Sequence, residues 1–365
     1  MHKHSFFNSL DSMLVLFLVV TIVSFQNKTF AETKNTDEFS TFETQPKSEK
    51  KALPKDPNQA AKDLLKQKKH QEVIDLLWPK IQTLDKEALI ILCQAHQEKK
   101  EGAQLLKVSQ IFIAKFSESA QGPYFQALAY TFLKQEKEAI EGFKETLILN
   151  PKYEPAYMGL IQIYENKKDK ANPNGNIYEL RILYQDMIDK IGPLPRYFIK
   201  LCEIYFKDRL YDNAIETCQK ALLKNPKSAE ARIYLGLSQI SQGQEESGVS
   251  HLKRSASEFK TSMLAQSEYA KYLADKKNHP EAKIYFEACK KIDAKNTTCL
   301  LGLANACYEL QSYDCSIENF TLACNIDRTT SAQFRKAAQQ SKLLKNDQWS
   351  KKFDTAAEKC TYSGL

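Results

Sequence analysis

Four consecutive blocks of 34 residues, Pro195–Ser228, Ala229–Ser262, Met263–Asn296 and Thr297–Thr330, abut without a gap and repeat one another. Position 7 of each block holds Leu201, Leu235, Tyr269 and Leu303. Position 8 is always small: Cys202, Gly236, Ala270 and Ala304. Position 20 is small again, with Ala214, Gly248, Ala282 and Ser316, and position 24 holds Cys218, Leu252, Phe286 and Phe320. Position 27 holds Ala221, Ser255, Cys289 and Ala323. Positions 4, 7, 8 and 11 share one face of a helix, and 20, 24 and 27 share one face of the next. Small residues at 8 and 20 let two antiparallel helices approach closely. One such hairpin cannot bury its own apolar face, so a tandem series at constant spacing constrains the chain to a linear stack in which neighbours supply the core.

The pattern resembles the tetratricopeptide repeat, in which Leu-small-x-x-Tyr on one helix is followed by Ala-x-x-x-Phe-x-x-Ala on the next and then by Pro. Pro195–Ser228 carries Leu201, Cys202, Tyr205, Ala214, Cys218, Ala221 and Pro226. Residues 120–153 carry Tyr130, Ala139, Phe143 and Pro151, and residues 154–194 carry Tyr157, Leu160 and Tyr164. The 154–194 unit has seven residues too many, which the composition places in the loop Asn166–Asn176. Units 54–85 and 86–119 match less closely; Val73, Leu77 and Trp78 mark the second helix of the first. The repeats thus run over 57–330, and 331–365 reads as capping helices without the consensus. The resemblance implies an all-α, right-handed superhelical solenoid of antiparallel helix pairs with an inner groove. Tyr211-Asp212 and Tyr313-Asp314 read as side-chain caps of second helices. Asn150-Pro151 and Asn225-Pro226 read as helix stops, because the residue before Pro disfavours helix.

Composition agrees. Eleven Gly in 365 residues is about 3%, against a usual ~7%, too few for a doubly wound sheet or a turn-rich sandwich. The net charge of +7 is scattered and only seven residues are Arg, which suits solubility better than nucleic-acid binding.

Residues 1–31 read as a secretory signal. Lys3 precedes the apolar run Leu14–Phe25, which is shorter than the ~20 residues that span a bilayer, and Thr29-Phe30-Ala31 fits cleavage after Ala31. Residues 32–56 hold just three large apolar side chains, Phe39, Phe42 and Leu53, and read as a disordered linker. The mature chain is therefore expected outside the cytosol, in a periplasm first, or secreted or surface-associated. In that setting nine cysteines point to bridges. Antiparallel helices pair positions whose numbers sum to about 31 when the turn lies near position 15 or 16. Cys202–Cys218, Cys307–Cys315 and Cys299–Cys324 satisfy this, and Cys289–Cys299 across the next turn is the rival to the last. Cys93 stands apart.

No Cys-x-x-Cys, His-Glu-x-x-His, phosphate-binding Gly loop or Gly-x-Ser-x-Gly occurs. No catalytic residue, metal or cofactor is expected; His96, at position 11, reads as a core histidine. The family resemblance places the partner-binding surface on first-helix positions 2, 5, 6, 9, 12 and 13. Carried over, these supply Tyr124, Phe125, Leu128, Phe132, Met158, Gln162, Ile199, Phe206, Tyr234, Leu237, Ile240 and Tyr308. So apolar a stripe suits a protein or peptide partner, although some of these side chains could instead pack between successive first helices. The expected function is an exported protein-binding scaffold of the cell envelope, not an enzyme. The alternative is a structural element that self-associates, and neither reading calls for nucleic acid or a membrane span.

Overall fold

The computed structural model describes residues 57–167 and 176–362, all within the unit Leu53–Leu365. The expected signal and linker lie outside the described residues, as do residues 168–175 of the Asn166–Asn176 loop. The described residues form eighteen α-helices and no strand. They alternate as first and second helices of nine pairs: α1 (Pro57–Lys66) with α2 (His70–Leu77), α3 (Lys86–Glu98) with α4 (Gly102–Lys115), α5 (Gln121–Phe132) with α6 (Glu136–Leu149), and α7 (Glu154–Asn166) with α8 (Ile177–Lys190). Then come α9 (Pro195–Lys207) with α10 (Tyr211–Lys224), α11 (Ala229–Ser241) with α12 (Glu245–Glu258), and α13 (Met263–Asp275) with α14 (His279–Ile292). The last two pairs are α15 (Thr297–Glu309) with α16 (Tyr313–Ile326), and α17 (Ser331–Leu343) with α18 (Asp347–Tyr362).

From residue 195 onward both the first and the second helices start every 34 residues, and the last pair keeps that register although it has lost the consensus. The seven-residue excess falls between α7 and α8. Trp78 departs from expectation: α2 ends at Leu77, and Trp78–Lys80 continues as a 3₁₀ turn. Its Pro79 removes an N–H that a continuing α-helix would need.

Within each pair, small residues set the distance between helices. Gly236 on α11 and Gly248 on α12 bring backbone against backbone: a Cβ built on either would lie 2.5–2.6 Å from the carbonyl oxygen of the other. Between pairs, an aromatic ring from one second helix lies over the next first helix. Phe143 packs on Gly159 and Phe286 on Gly302, with ring atoms 2.4 and 2.2 Å from where a Cβ would stand. Phe112, Phe143, Phe286, Phe320, Phe334 and Phe353 are all essentially inaccessible, so each pair is closed by its neighbour.

The stops before Pro151 and Pro226 fall where the sequence places them, with Asn150 and Asn225 as C-caps. Each Asn Oδ1 also accepts the N–H two residues on, from Lys152 and Lys227. The starts of α10 and α16 differ from expectation. Their N-caps are Leu210 and Ser312, neither of which makes a side-chain cap hydrogen bond. Tyr211 and Tyr313 are already helical, and Asp212 and Asp314 sit inside the first turn. There a carboxylate favours the positive end of the helix dipole rather than capping a particular N–H.

The hairpin turns show why so little Gly suffices. Lys68, Lys100, Lys134, Arg209, Gly243, Lys277, Gln311 and Lys345 each have positive φ, 56–61° in the seven that are not Gly. Each closes a first helix with paired backbone bonds of the Schellman type: Lys100 N–H to Gln97 O at 2.9 Å with Glu101 N–H to His96 O at 3.0 Å, and likewise Leu210 to Tyr205, Asn278 to Leu273 and Ser312 to Cys307. These bonds hold a left-handed conformation that costs an L-residue roughly 1–2 kcal/mol. Lys100→Gly, Lys134→Gly and Lys277→Gly are therefore each expected to raise the unfolding free energy by about 0.5–1 kcal/mol. The gains should add, because the turns are far apart, and urea titration of the singles and the triple checks this.

Candidate functional site

First helices carry all twelve of the expected groove residues, and the structure separates these into three groups. Tyr124 and Leu128 on α5 meet Met158 and Gln162 on α7 around one concavity of about 660 Å³. Glu154, Pro155, Gly159, Ile161 and Glu165 complete its lining. Tyr124 is fixed by rings at 5.1 Å (Tyr153), 5.4 Å (Phe125) and 6.0 Å (Phe143). Burial pushes the Tyr153 phenol up to about 12, with a smaller contribution from Tyr124, and burial alone raises Tyr124. Met158 stands 48% exposed on the opposite wall. At one edge Glu154 is paired with Arg196 at 3.0 Å. The concavity offers an apolar floor, an exposed thioether and the exposed carboxylate of Glu165.

A second group forms the middle of the first-helix face. Glu203 of α9 is ion-paired to Lys200 at 3.0 Å and Lys207 at 2.5 Å. Burial pushes its carboxyl up, but the hydrogen bonds and charges of the two lysines outweigh this and hold it below the usual carboxylate range. Tyr234 lies beside it, its phenol driven far above the ordinary range by burial and by the Glu203 carboxylate. The Phe206 ring is 5.7 Å from Tyr234. Ile199, Leu237 and Ile240 are half-buried and packed against core clusters, and Ile240 also lies against Gly248 of its own pair.

The third group corrects the expected groove. Phe125 is 3% exposed and belongs to the core shared by α1–α5. At Phe125 position 6 faces the preceding pair, as it does at Gly159 and Gly302, where the preceding pair's phenylalanine takes the space, whereas at Lys200 it is exposed. Tyr308 is buried as well: the last pair covers it, and its hydroxyl donates to Ala337 O at 3.2 Å and lies 3.1 Å from Ser341 Oγ. Phe132 is half-buried against the N-terminal core. Conversely, Glu165 and Glu203 occupy positions 12 and 9, which belong to the same face; a search for apolar residues passes over them.

Four disulfides involve eight of the nine cysteines. Cys202–Cys218 and Cys307–Cys315 close within pairs, with Cα–Cα distances of 5.2 and 5.9 Å. The Cys299–Cys324 pairing is not made. Cys299 joins Cys289 across the α14–α15 turn, and Cys324 joins Cys360 on α18. Cys289 is at position 27, which faces the next first helix; Cys324 at position 28 is turned a further ~100° and faces the next second helix. Cys93 is a buried free thiol, its pKa raised by burial.

His96 is 2% exposed; its Nδ1 lies 2.8 Å from Glu101 Oε2, its Nε2 has no partner and Trp78 packs edge-on at 5.5 Å. It is a core histidine satisfied on one side, and burial lowers its pKa against the opposing pull of Glu101. Among the described residues no group of three or more His, Cys, Asp or Glu could hold a metal ion, and no helix is long and apolar enough to cross a membrane.

No family model and no curated protein matches the sequence. Solved structures do resemble the fold. The Cut9–Hcn1 hetero-tetramer of the APC/C aligns over 77% of this chain and 55% of that one, at 12% identity and a TM-score of 0.47; the present chain thus spans little more than half of it. Pseudomonas aeruginosa pilF aligns over 66% and 98%, at 13% identity and a TM-score of 0.42. YrrB, described as a TPR protein with an unusual peptide-binding site, aligns over 60% and 92%, at 15% identity and a TM-score of 0.31. Repeated antiparallel pairs, small residues at their crossings and apolar faces closed by the neighbouring pair define the helix-pair geometry of the chain itself. By that geometry the chain folds as a tetratricopeptide-like helical solenoid.

Proposed function

We propose that the protein is an exported, non-enzymatic scaffold that holds a peptide or helix of a partner protein along its first-helix face, in the setting of cell-envelope assembly. The concavity between α5 and α7 anchors the partner by an apolar side chain. One observation carries this: Tyr124, Leu128, Met158 and Gln162, drawn from the same two repeat positions in successive pairs, line a single hollow with an apolar floor and an exposed methionine. Methionine adapts its shape to varied apolar guests, and hollows of this size suit one or two side chains of an extended or helical segment. Export is supported by the pairing of eight cysteines, since such bridges persist in oxidising compartments.

A photo-crosslinking amino acid placed at Met158 tests the groove, with the same group at Leu223 as control. Leu223 is 82% exposed but lies on a second helix away from the hollow. In cells, discrete protein adducts are expected from position 158 and should be reduced at least about fivefold by Gln162→Lys with Leu128→Glu, a loss of about 1 kcal/mol in binding. Equal adducts from both positions, or none from 158, would overturn the proposal.

A further inference from the structure

At the last junction α18 packs directly on α16, and a cleft of about 870 Å³ lies between the two. One wall is the α16 stripe Asp314, Ile317, Thr321 and Asn325; the other is the α18 stripe Gln348, Lys351, Lys352, Thr355, Ala356 and Lys359. Phe334 of α17, 1% exposed, forms part of the floor, and the Cys324–Cys360 disulfide lies toward one end.

Charge is what distinguishes the two walls. Three lysines line the α18 side, while Asp354 and Glu358 of the same helix fall outside the lining stripe. Lys352 sits over the Trp349 ring, 3.8 Å from its centroid. Among the described residues no carboxylate lies within ion-pair distance of Lys351, Lys352 or Lys359. Asp314 is the one acidic lining residue, and it marks the end opposite the disulfide.

We propose that this cleft is a second docking site, on the second-helix side of the solenoid, for an acidic amphipathic helix of about three turns from a partner protein. The length follows from the walls: Asp314 to Cys324 is ten residues, or about 15 Å of helix. Apolar side chains of the guest rest on Ile317, Ala356 and Phe334, and its acidic side chains meet the lysine wall. As second helices α16 and α18 run parallel, with their carbonyl ends at the disulfide. A guest antiparallel to both puts its N-terminus, the end that favours acidic residues, beside Lys359 and away from Asp314. Thr321, Asn325, Gln348 and Thr355 alternate with the apolar residues. Thr321 and Thr355 already donate to Ile317 O and Lys351 O, whereas the side-chain amides of Asn325 and Gln348 can bond to a peptide's polar groups and would find no partner on an acyl chain.

The test uses the full oxidised chain and a fluorescein-labelled synthetic peptide of about twelve residues, with Leu and Phe on one helical face and Glu on its flanks; a second peptide has Lys in place of every Glu. Fluorescence anisotropy should show binding of the acidic peptide alone. Its Kd should rise at least about tenfold in the Lys351→Glu/Lys352→Glu/Lys359→Glu variant. It should stay within about twofold in Lys336→Glu/Lys342→Glu, which changes two exposed α17 lysines outside the cleft where the first variant changes three within it, and circular dichroism verifies that both variants fold. Met158→Glu should leave it unchanged, so failure at this cleft and failure of the first-helix groove are separable. Equal affinity for both peptides, equal loss in the two charge variants, no binding of either peptide, or binding of phosphatidylglycerol vesicles in place of the acidic peptide would overturn the proposal.

Discussion

Reduction of the four disulfides is expected to unfold the C-terminal pairs while leaving the N-terminal pairs folded. Three of the bridges act in series: Cys289–Cys299 joins α14 to α15, Cys307–Cys315 joins α15 to α16, and Cys324–Cys360 joins α16 to α18. Cys202–Cys218 clamps α9 to α10, and no bridge lies N-terminal to α9. The cysteines they link lie 8, 10, 16 and 36 residues apart, for which loss of unfolded-chain entropy is worth about 2.5–4 kcal/mol each. In a globular domain that sum would be spread over one cooperative unit. A solenoid is held by nearest-neighbour contacts, so the loss stays near the bridges. The melting curve is therefore expected to split on adding dithiothreitol, with a new transition roughly 10 °C or more below the oxidised one. Hydrogen exchange should lose protection across α13–α18 and retain it in α3–α6. Peptide mapping without reductant should recover Cys202–Cys218, Cys289–Cys299, Cys307–Cys315 and Cys324–Cys360 as linked peptides. A Cys299–Cys324 peptide, eight free thiols, or superimposable melts with and without reductant would refute serial bracing of the C-terminal pairs.

What the sequence makes legible depends on how local each determinant is. The helix starts from 195 to 297 can be read because every pair solves the same packing problem, so Leu201, Leu235 and Leu303 recur in step. The stops at Asn150 and Asn225 can be read because proline acts on the residue before it. Turn conformation is hidden: the left-handed positions are held by backbone bonds that tolerate lysine, so the glycine that would announce them is missing. Burial of Phe125 and Tyr308 is hidden for another reason. A position within a repeat fixes the direction of a side chain, but whether that direction is open depends on the neighbouring pair, such as α17 over Tyr308. The partner of Cys324 is likewise decided by the next pair. The hollow between α5 and α7 is legible through Tyr124, Leu128, Met158 and Gln162. Its acidic edge at Glu154 and Glu165 is not, because a stripe of apolar side chains gives no sign of the carboxylates beside it.

The pair α11–α12 yields the largest effect expected from single substitutions. Gly236→Ala and Gly248→Ala would each add one methyl group to a helix interior, where alanine is intrinsically better than glycine by up to ~1 kcal/mol. On propensity alone both should stabilise. Geometry reverses the sign. At Gly248 the new Cβ would lie 2.5 Å from the Gly236 carbonyl oxygen and 2.6 Å from Ile240 Cγ1; at Gly236 it would lie 2.6 Å from the Gly248 carbonyl oxygen. Those oxygens are backbone, so the helices themselves must separate, and overpacking of this kind costs about 1–3 kcal/mol. Separation would also loosen Leu252, which is 1% exposed between the two pairs. Each substitution is expected to lower the unfolding free energy by about 1–2 kcal/mol net. The double variant should cost less than the sum of the singles, because one separation of the helices accommodates both methyl groups. Gly243→Ala in the intervening turn separates crowding from backbone strain: nothing lies within 4 Å of its built Cβ, but its φ is +84°. It should destabilise through conformation alone and add fully to either helix variant. Urea denaturation of the three singles and three doubles decides the matter: stabilisation by Gly236→Ala, or strict additivity with Gly248→Ala, would mean that the close approach of these two backbones does not set the distance within the pair.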